Sequence, residues 1–246
     1  MKGTIAACAL LCLCSTVGAQ RSFVTEHQPS ERVIGLLDLP DVTANYADDA
    51  CRMTGLPSLD LFREPSKTAP VIGNIRLGEH RDVGCALLFR RRGYSVDEEM
   101  PTQESGYEIA AAVVHERRDH WFRIALPRGS AWVERAKDED FLPYPEILAR
   151  RLSYLMNDWD GQLRRSPSAK APALPLPAEW KERIPSQIGI QVLRVRRSDN
   201  EDWMRVRIVT GRCGDDSTKT VKPIEGWVPV HRPDGKPTAW FHSRGC

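Results

Sequence analysis

The sequence has no large excess of charge of either sign. Its 35 Lys and Arg are nearly matched by 33 Asp and Glu, which gives a formal net charge of +2 for the 246 residues. A balanced chain gives no electrostatic reason to expect a nucleic-acid partner or a charged membrane surface. The short basic runs at residues 90–92 and 194–197 are interpreted as solvated strand faces and loops. We therefore expect no nucleic-acid partner.

The sequence also lacks the motifs of several enzyme classes. It contains no Gly-rich phosphate loop and no Gly-x-Ser-x-Gly nucleophile elbow. His115 and His120 lie five residues apart without an evident third metal ligand. A cysteine nucleophile needs a nearby histidine, and Cys213 with His231 or His242 is the candidate dyad, although a disulfide is the favoured interpretation. We expect no catalytic site, no metal and no cofactor.

No stretch of the sequence is long and apolar enough to cross a bilayer, which needs about 20 apolar residues. The apolar run at residues 5–17 follows Lys2 and leads into Val17-Gly18-Ala19, where small or apolar residues occupy the positions that a signal peptidase reads. We predict a signal peptide at residues 1–19, no integral membrane segment and export to the periplasm. Secretion is the alternative, and a lipoprotein attached at Cys8 is disfavoured because that cysteine lies too early.

Cysteine is scarce after the predicted signal peptide. Three of the seven cysteines lie within residues 1–19, and the other four are Cys51, Cys85, Cys213 and Cys246. An even number of cysteines in an exported chain predicts two disulfides, for which three connectivities exist.

Two decapeptides, LFREPSKTAP at residues 61–70 and LRRSPSAKAP at residues 163–172, share six of ten positions. Such a match proves little by itself, since it can arise by chance in a chain of this composition. Each decapeptide is followed by Trp-hydrophobic-Arg-hydrophobic, at residues 121–124 and 203–206, and then by a small residue with Trp-Val. Three blocks in the same order predict two copies of one structural unit.

The two copies differ in spacing, and each difference contains one cysteine. The first copy has an insertion before its Trp block that contains Cys85, and the second has an insertion after its Trp block that contains Cys213. Cys51 precedes the first copy and Cys246 ends the second. We infer the disulfides Cys51–Cys85 and Cys213–Cys246, each of which joins an inserted loop to a terminal extension.

The repeated residues resemble bacterial Src-homology-3 (SH3) domains. The resemblance rests on Leu-x-x-x-Pro-Ser-x-x-x-Pro-Val-Ile-Gly at residues 61–73 and on the Trp motifs, and it covers residues 57–136 and 159–232, although the second copy lacks Val-Ile-Gly. In that family the Pro-Ser segment forms the first long loop and the Trp-Val strand closes a small five-stranded barrel. The resemblance implies an exported protein whose domains bind cell-wall peptides or other envelope proteins.

We therefore predict an all-β fold of two small SH3-like barrels joined by one short α-helix, with a disulfide-stapled insertion in each barrel. Pro145 suits a first helical turn, and the apolar stripe of this helix is Ile147, Leu148, Leu152, Leu155 and Met156. The predicted order is signal peptide 1–19, N-terminal extension 20–56, first SH3-like domain 57–143, connecting helix 144–158, and second SH3-like domain 159–246 with a C-terminal hairpin.

The predicted function is a non-enzymatic envelope-binding module that recognises cell-wall peptide or peptidoglycan in a shallow aromatic and acidic groove. Trp159, Trp180 and Trp240 lie outside the repeated blocks and are the candidate ligand contacts, because exposed aromatic rings stack on proline or sugar rings. The acidic residues 97–99 and Glu104 are interpreted as a solvated loop. Two alternatives stay open, an interaction or inhibitor-type partner of a secreted protein and a cell-wall hydrolase, and the oligomeric state is not predicted.

Overall fold

The structure is a computed structural model that describes residues 31–43, 51, 57–80, 84–106, 109–135, 138–176, 188–209 and 223–242. Most of these residues lie in antiparallel β-strands, which confirms the predicted all-β class. Among them, no helix is long and apolar enough to cross a membrane. The predicted signal peptide, Trp180, Cys213 and Cys246 lie outside the described residues.

The strands form two sheets, each with a short helix beside it. The first sheet contains β1 (Gly35–Asp38), β2 (Ser58–Phe62), β3 (Val71–His80), β4 (Gly84–Arg91), β5 (Asp97–Glu99), β6 (Thr102–Gly106), β7 (Ile109–Arg118), β8 (Trp121–Ala125), β9 (Ser130–Glu134) and β10 (Phe141–Pro143). The second contains β11 (Ser153–Leu155), β12 (Leu163–Arg164), β13 (Ala173–Leu174), β14 (Gly189–Ser198), β15 (Glu201–Val209), β16 (Ile224–Pro229) and β17 (Ala239–Phe241). The helices are α1 (Pro40–Thr43) and α2 (Tyr144–Arg150), and a 3-10 turn spans Asp138–Asp140.

The two sheets have the same strand order. The first runs β10-β1-β7-β8-β9-β2-β3 and continues through β4 and β5, with β6 paired to β7. The second runs β17-β11-β14-β15-β16-β12-β13, so each strand has a counterpart in the first sheet at the same place in the order. The chain therefore contains two units of one topology, here called the first unit and the second unit. Among the described residues, the first unit has β4, β5 and β6 in addition.

The two decapeptides form matching loops. In each loop the backbone N–H of the arginine after the first strand donates to the carbonyl of the last proline, and an alanine N–H donates to a serine carbonyl at the tip. These bonds are Arg63 to Pro70 at 3.1 Å, Ala69 to Ser66 at 3.1 Å, Arg165 to Pro172 at 3.1 Å and Ala171 to Ser168 at 3.0 Å. The shared Pro-Ser and Ala-Pro residues thus specify one turn geometry at both places, because proline and serine restrict the backbone locally.

The insertion of the first unit forms an additional strand rather than a loop. Strand β4 pairs with β3 over its whole length, from Gly73 opposite Arg91 to His80 opposite Gly84. The predicted disulfide Cys51–Cys85 is confirmed, with Cα atoms 5.5 Å apart, and it ties β4 to the segment before the first decapeptide. The inferred partner bridge, Cys213–Cys246, lies outside the described residues.

Strand β7 contributes to two hydrophobic cores. Ala110, Ala112 and Val114 pack in the core of the first unit, whereas Ala111 and Val113 pack in a second core. The second core also contains side chains of α2, β11, β14, β15 and β17, so the two units share it. Because successive side chains of a strand point to opposite faces, a continuous apolar run suits a strand that is buried on both faces.

The predicted connecting helix 144–158 is too long. Helix α2 ends at Arg150, and the backbone of Arg151 is extended at φ −126° and ψ 156°. The next residues form β11, which pairs with β14 and β17. The hydroxyl of Ser153 donates to the carbonyl of Leu148 at 3.2 Å, so a carbonyl that the helix leaves open has a partner. Leu155, predicted to lie on the helix stripe, is fully buried in the strand.

Neither sheet closes into a barrel over the described residues, so the expected five-stranded barrels are not found there. The predicted C-terminal hairpin is limited to its turn. Gly235 has φ +84°, which favours glycine, and Thr238 N–H donates to the carbonyl of Val230 at 3.1 Å. Strand β17 then pairs with β11 and not with β16, because it completes the edge of the second sheet beside the shared core.

Polar side chains connect the two units across the shared core. The bonds are Tyr144 hydroxyl to the Ala239 carbonyl, His231 Nε2 to the Val33 carbonyl at 2.7 Å, Trp240 Nε1 to Gln103 Oε1 at 3.3 Å and Arg151 to the Ser105 carbonyl. Each of these bonds joins residues far apart in sequence. They fix the mutual position of the units, since a buried polar group that loses its partner costs about 1–3 kcal/mol.

The junction makes stability depend on pH through His231. Burial lowers the pKa of His231, and this is the largest effect. The hydrogen bond to Val33 raises the pKa, the charge of Arg32 lowers it and the charge of Asp202 raises it. The net shift of the pKa is downward. The unfolded chain, with an imidazole pKa of about 6.5, therefore binds this proton more readily, and stability is lost as the pH falls below that value. We expect the free energy of unfolding to be lower at about pH 5 than at about pH 7.5, and His231→Gln to reduce this difference.

Urea unfolding at the two pH values measures this effect. The surface variant His120→Gln is the control, because His120 is half exposed and lies away from the junction. If both variants change the pH dependence equally, His231 is not its source.

Candidate functional site

Two of the three tryptophans that the sequence singled out as ligand contacts are buried. Trp159 and Trp240 are 8% and 2% exposed and lie in the shared core. The ring of Trp240 stacks on Tyr144 with centroids 5.7 Å apart. Trp180 lies outside the described residues. The burial of Trp159 and Trp240 leaves little side-chain surface for a ligand, so the candidate site lies elsewhere.

A groove of about 510 Å³ lies in the first unit, between the decapeptide loop, the adjoining ends of β3 and β4, and the turn after β8. Its apolar lining is Val71, Ile72, Phe89 and Leu126. Its basic lining is Arg63, Arg91, Arg92 and Arg128. We call it the arginine groove. It differs from the expected aromatic and acidic groove, because its charged side chains are all cationic.

Backbone hydrogen bonds hold three segments of the groove in place. The N–H of Arg92 donates to the carbonyl of Ile72 at 2.9 Å, which joins the end of β4 to the start of β3. The N–H of Leu126 donates to the carbonyl of Gly129 at 2.9 Å and closes the turn between β8 and β9. The decapeptide bond from Arg63 fixes the third segment. The arginines therefore project from a rigid backbone frame.

Gly73 permits the close approach of β4 that forms the floor of the groove. A Cβ at this position would lie 2.3 Å from the carbonyl oxygen of Arg90 and 2.6 Å from the ring of Phe89. Any side chain there would push the floor residue Phe89 and its strand away from β3. Close packing of β4 against β3 thus explains the glycine of the Val-Ile-Gly block in the first copy.

The groove carries positive charge that nearby carboxylates do not neutralise. Among the described residues, no carboxylate pairs with Arg63, Arg91 or Arg92, while Arg128 lies 3.5 Å from Glu98. Asp97, next to Glu98 in β5, is already engaged by two other arginines, Arg76 at 2.5 Å and Arg90 at 2.8 Å. Burial raises the pKa of Asp97, but hydrogen bonds and charge from those arginines outweigh it and lower the pKa overall.

The acidic stretch is not the solvated loop that the sequence suggested. Residues 97–99 form β5, and Glu104 lies in β6 with only 2% of its surface exposed. The opposite charge of Arg151 acts on Glu104 and Asp38 at the unit junction. A buried carboxylate beside an arginine is a structural pair, so Glu104 offers little acidic surface for a basic ligand.

The chemistry of the arginine groove is that of an anion-binding site. Its described lining contains guanidinium groups, apolar side chains and Ser130, and no carboxylate, histidine or cysteine is among those residues. Over the residues that the structure describes, no group of three or more His, Cys, Asp and Glu could hold a metal ion. Cys213, the candidate nucleophile of the dyad, lies outside those residues, whereas His231 already bonds to the carbonyl of Val33 at 2.7 Å. Guanidinium groups pair with carboxylate or phosphate in fork geometry, so the groove suits a ligand with both acidic and apolar parts.

Comparison with known proteins identifies no relative. No family model matches the chain, and no curated protein or solved structure matches it either. The SH3 resemblance therefore rests on the sequence motifs alone.

Proposed function

We propose that this protein is a non-enzymatic binding module of the cell envelope that recognises cell-wall peptide through the arginine groove of its first unit. The observation that carries the proposal is that three groove arginines, Arg63, Arg91 and Arg92, stand around an apolar floor without carboxylate partners among the described residues. An extended peptide with free carboxylates and small apolar side chains has the matching chemistry. Each guanidinium–carboxylate hydrogen bond contributes about 1.5–3 kcal/mol when water is excluded.

The proposal includes two SH3-like domains, at residues 57–143 and 159–246, in a periplasmic protein. Three observations support it: both units have one strand order, both decapeptides form the same loop, and that loop borders the groove. The disulfide Cys51–Cys85 fits an oxidising compartment such as the periplasm. The second unit has no strand corresponding to β4 among the described residues, so we assign peptide binding to the first unit.

Co-sedimentation with isolated cell-wall sacculi tests this proposal. The variant Arg63→Gln should bind about 10-fold more weakly, the effect of losing one charged hydrogen bond. Arg165→Gln is a matched control, because Arg165 holds the equivalent place in the second decapeptide loop and makes the same backbone bond at 3.1 Å. Both variants lose one positive charge. Equal binding by the two variants would show that the groove is not the site.

A second candidate function, interaction with a secreted protein, is favoured by one surface feature. The turn between β4 and β5 exposes Tyr94 and Val96, at 64% and 70% of their surfaces. Exposed apolar side chains beside a charged groove are typical of protein contacts. Two results together would replace the first function by this second one. The unchanged protein would not bind sacculi, and Tyr94→Ala would abolish its crosslinking to a periplasmic partner.

A further inference from the structure

The second unit has a strongly basic outer face, on the side of its sheet away from the shared core. Directly paired residues of antiparallel strands point to one side, which places side chains of β12, β14, β15 and β16 together. The charged members are five arginines and two glutamates, a formal charge of +3: Arg164, Arg194, Arg196, Arg205, Arg207, Glu201 and Glu225. We call this set the arginine face.

The first unit provides an internal comparison. At the places of the five arginines and Glu225, which together carry +4, the common strand order and pairing put a first-unit set with a formal charge of only +1: Phe62, Glu116, Arg118, Arg123, Ala125 and Ser130. There Glu116 accepts hydrogen bonds from Arg118 at 2.8 Å and from Arg123 at 3.1 Å. The place of Glu116 is taken by Arg194 in the second unit. The same sheet face is therefore neutralised in one unit and basic in the other.

Contacts within the arginine face hold the guanidinium groups of Arg194, Arg205 and Arg207 in place. Arg194 lies over the ring of Trp227, with its guanidinium carbon 5.0 Å from the ring centroid. Glu225 accepts hydrogen bonds from both Arg205 and Arg207 at 2.7 Å. Arg194 and Arg196 are exposed and have no carboxylate partner among the described residues. Guanidinium groups fixed in this way lose less side-chain freedom when they bind an anion.

We infer that the arginine face binds a linear polyanion, a chain of repeated phosphate or carboxylate groups, independently of the peptide site proposed above. Two rows of arginine along β14 and β15 present several planar donors to successive groups of such a chain. A lipid surface is less favoured, because the aromatic rings of the face, Trp203 and Trp227, are buried and cannot enter a bilayer. A flexible polymer with repeated negative charges matches the arginine face, because this face is basic and exposes little apolar surface.

Binding of long-chain inorganic polyphosphate and of polygalacturonate to the purified protein tests this inference, at several salt concentrations. We expect binding to at least one of them, and the stronger of the two identifies phosphate or carboxylate as the preferred group. The double variant Arg194→Gln with Arg196→Gln should bind about 10-fold more weakly or worse, and the slope of log affinity against log salt should fall by about two.

The matched control is Arg118→Gln with Arg123→Gln, which removes the same charge from the equivalent face of the first unit. It should change polyanion affinity by less than about twofold, since Glu116 already neutralises that face. The single variant Arg194→Glu should also weaken polyanion binding, because it gives the second unit the acidic residue that the first unit has at the equivalent position, Glu116. Thermal unfolding checks that each variant remains folded.

Three results would overturn the inference. Equal losses in the two double variants would show that net charge alone attracts the polymer. Binding to phosphatidylglycerol vesicles without binding to either polymer would assign the face to a lipid surface. No polymer binding at low salt would leave the face without this function. None of these results depends on sacculi binding or on Arg63, so failure of the peptide proposal is seen separately.

Discussion

Replacing Trp240 with alanine is expected to lower the free energy of unfolding by about 3–5 kcal/mol, the usual effect of removing a buried tryptophan. The side chain is 2% exposed, and its ring lies 5.7 Å from Tyr144 and 5.0 Å from Phe241. Its Nε1–H donates to Gln103 of the first unit. The substitution removes apolar packing and an inter-unit hydrogen bond together. Urea denaturation of the two proteins measures the difference.

Trp240→Phe separates the two contributions. Phenylalanine keeps much of the ring packing but has no donor for Gln103, so this variant should lose about 1–2 kcal/mol, less than alanine does. A tryptophan that served mainly as an exposed ligand contact would behave differently. Its replacement would weaken wall binding while the unfolding midpoint stayed constant, and that outcome would contradict the buried position described here.

Local patterns allowed much of the fold to be predicted. The decapeptides predicted two similar loops because proline and serine restrict the backbone within a few residues, and the loops share their hydrogen bonds. The pairing of Cys51 with Cys85 followed from one cysteine in an insertion and one in the preceding extension. These predictions depended on neighbours in sequence or on the order of blocks, which a single sequence displays.

The helix prediction failed where tertiary pairing decides the structure. Residues 152–156 are apolar enough for a helix stripe or for a buried strand, and short apolar runs do not distinguish the two. In the folded chain, residues 153–155 lie between β14 and β17 and complete the second sheet. Strand partners that come from 35 and 86 residues further along the chain are invisible to a local pattern.

The candidate site could not be predicted for the same reason. Arg91 and Arg92 belonged to a short basic run without an assigned function, and Arg63 belonged to the repeat. They converge only because the inserted β4 pairs with β3 and brings its end beside the decapeptide loop. Trp240 was favoured as a contact because it lies outside the repeated blocks. That position instead reflects the edge strand β17, which packs against the first unit.

Removing the disulfide Cys51–Cys85 should destabilise the protein by about 4 kcal/mol, from the chain-entropy relation for a closed loop of this size. The two cysteines are 34 residues apart in sequence. When the bridge is intact, this loop stays closed in the unfolded chain, so unfolding gains less conformational entropy. Cys51→Ala with Cys85→Ala should therefore shift the urea midpoint well below that of the oxidised protein.

The same variant tests how the bridge supports the arginine groove. Cys85 lies in β4, whose other end positions Phe89, Arg91 and Arg92 in the lining. In buffer without urea the variant should still be folded. Weaker binding to sacculi under this condition would show that the bridge holds β4 in register. The double variant Cys213→Ala with Cys246→Ala, which removes the other inferred bridge, is the control for losing a disulfide elsewhere in the chain. A decrease of less than about 1 kcal/mol in the free energy of unfolding of Cys51→Ala with Cys85→Ala would contradict the entropic contribution of this loop.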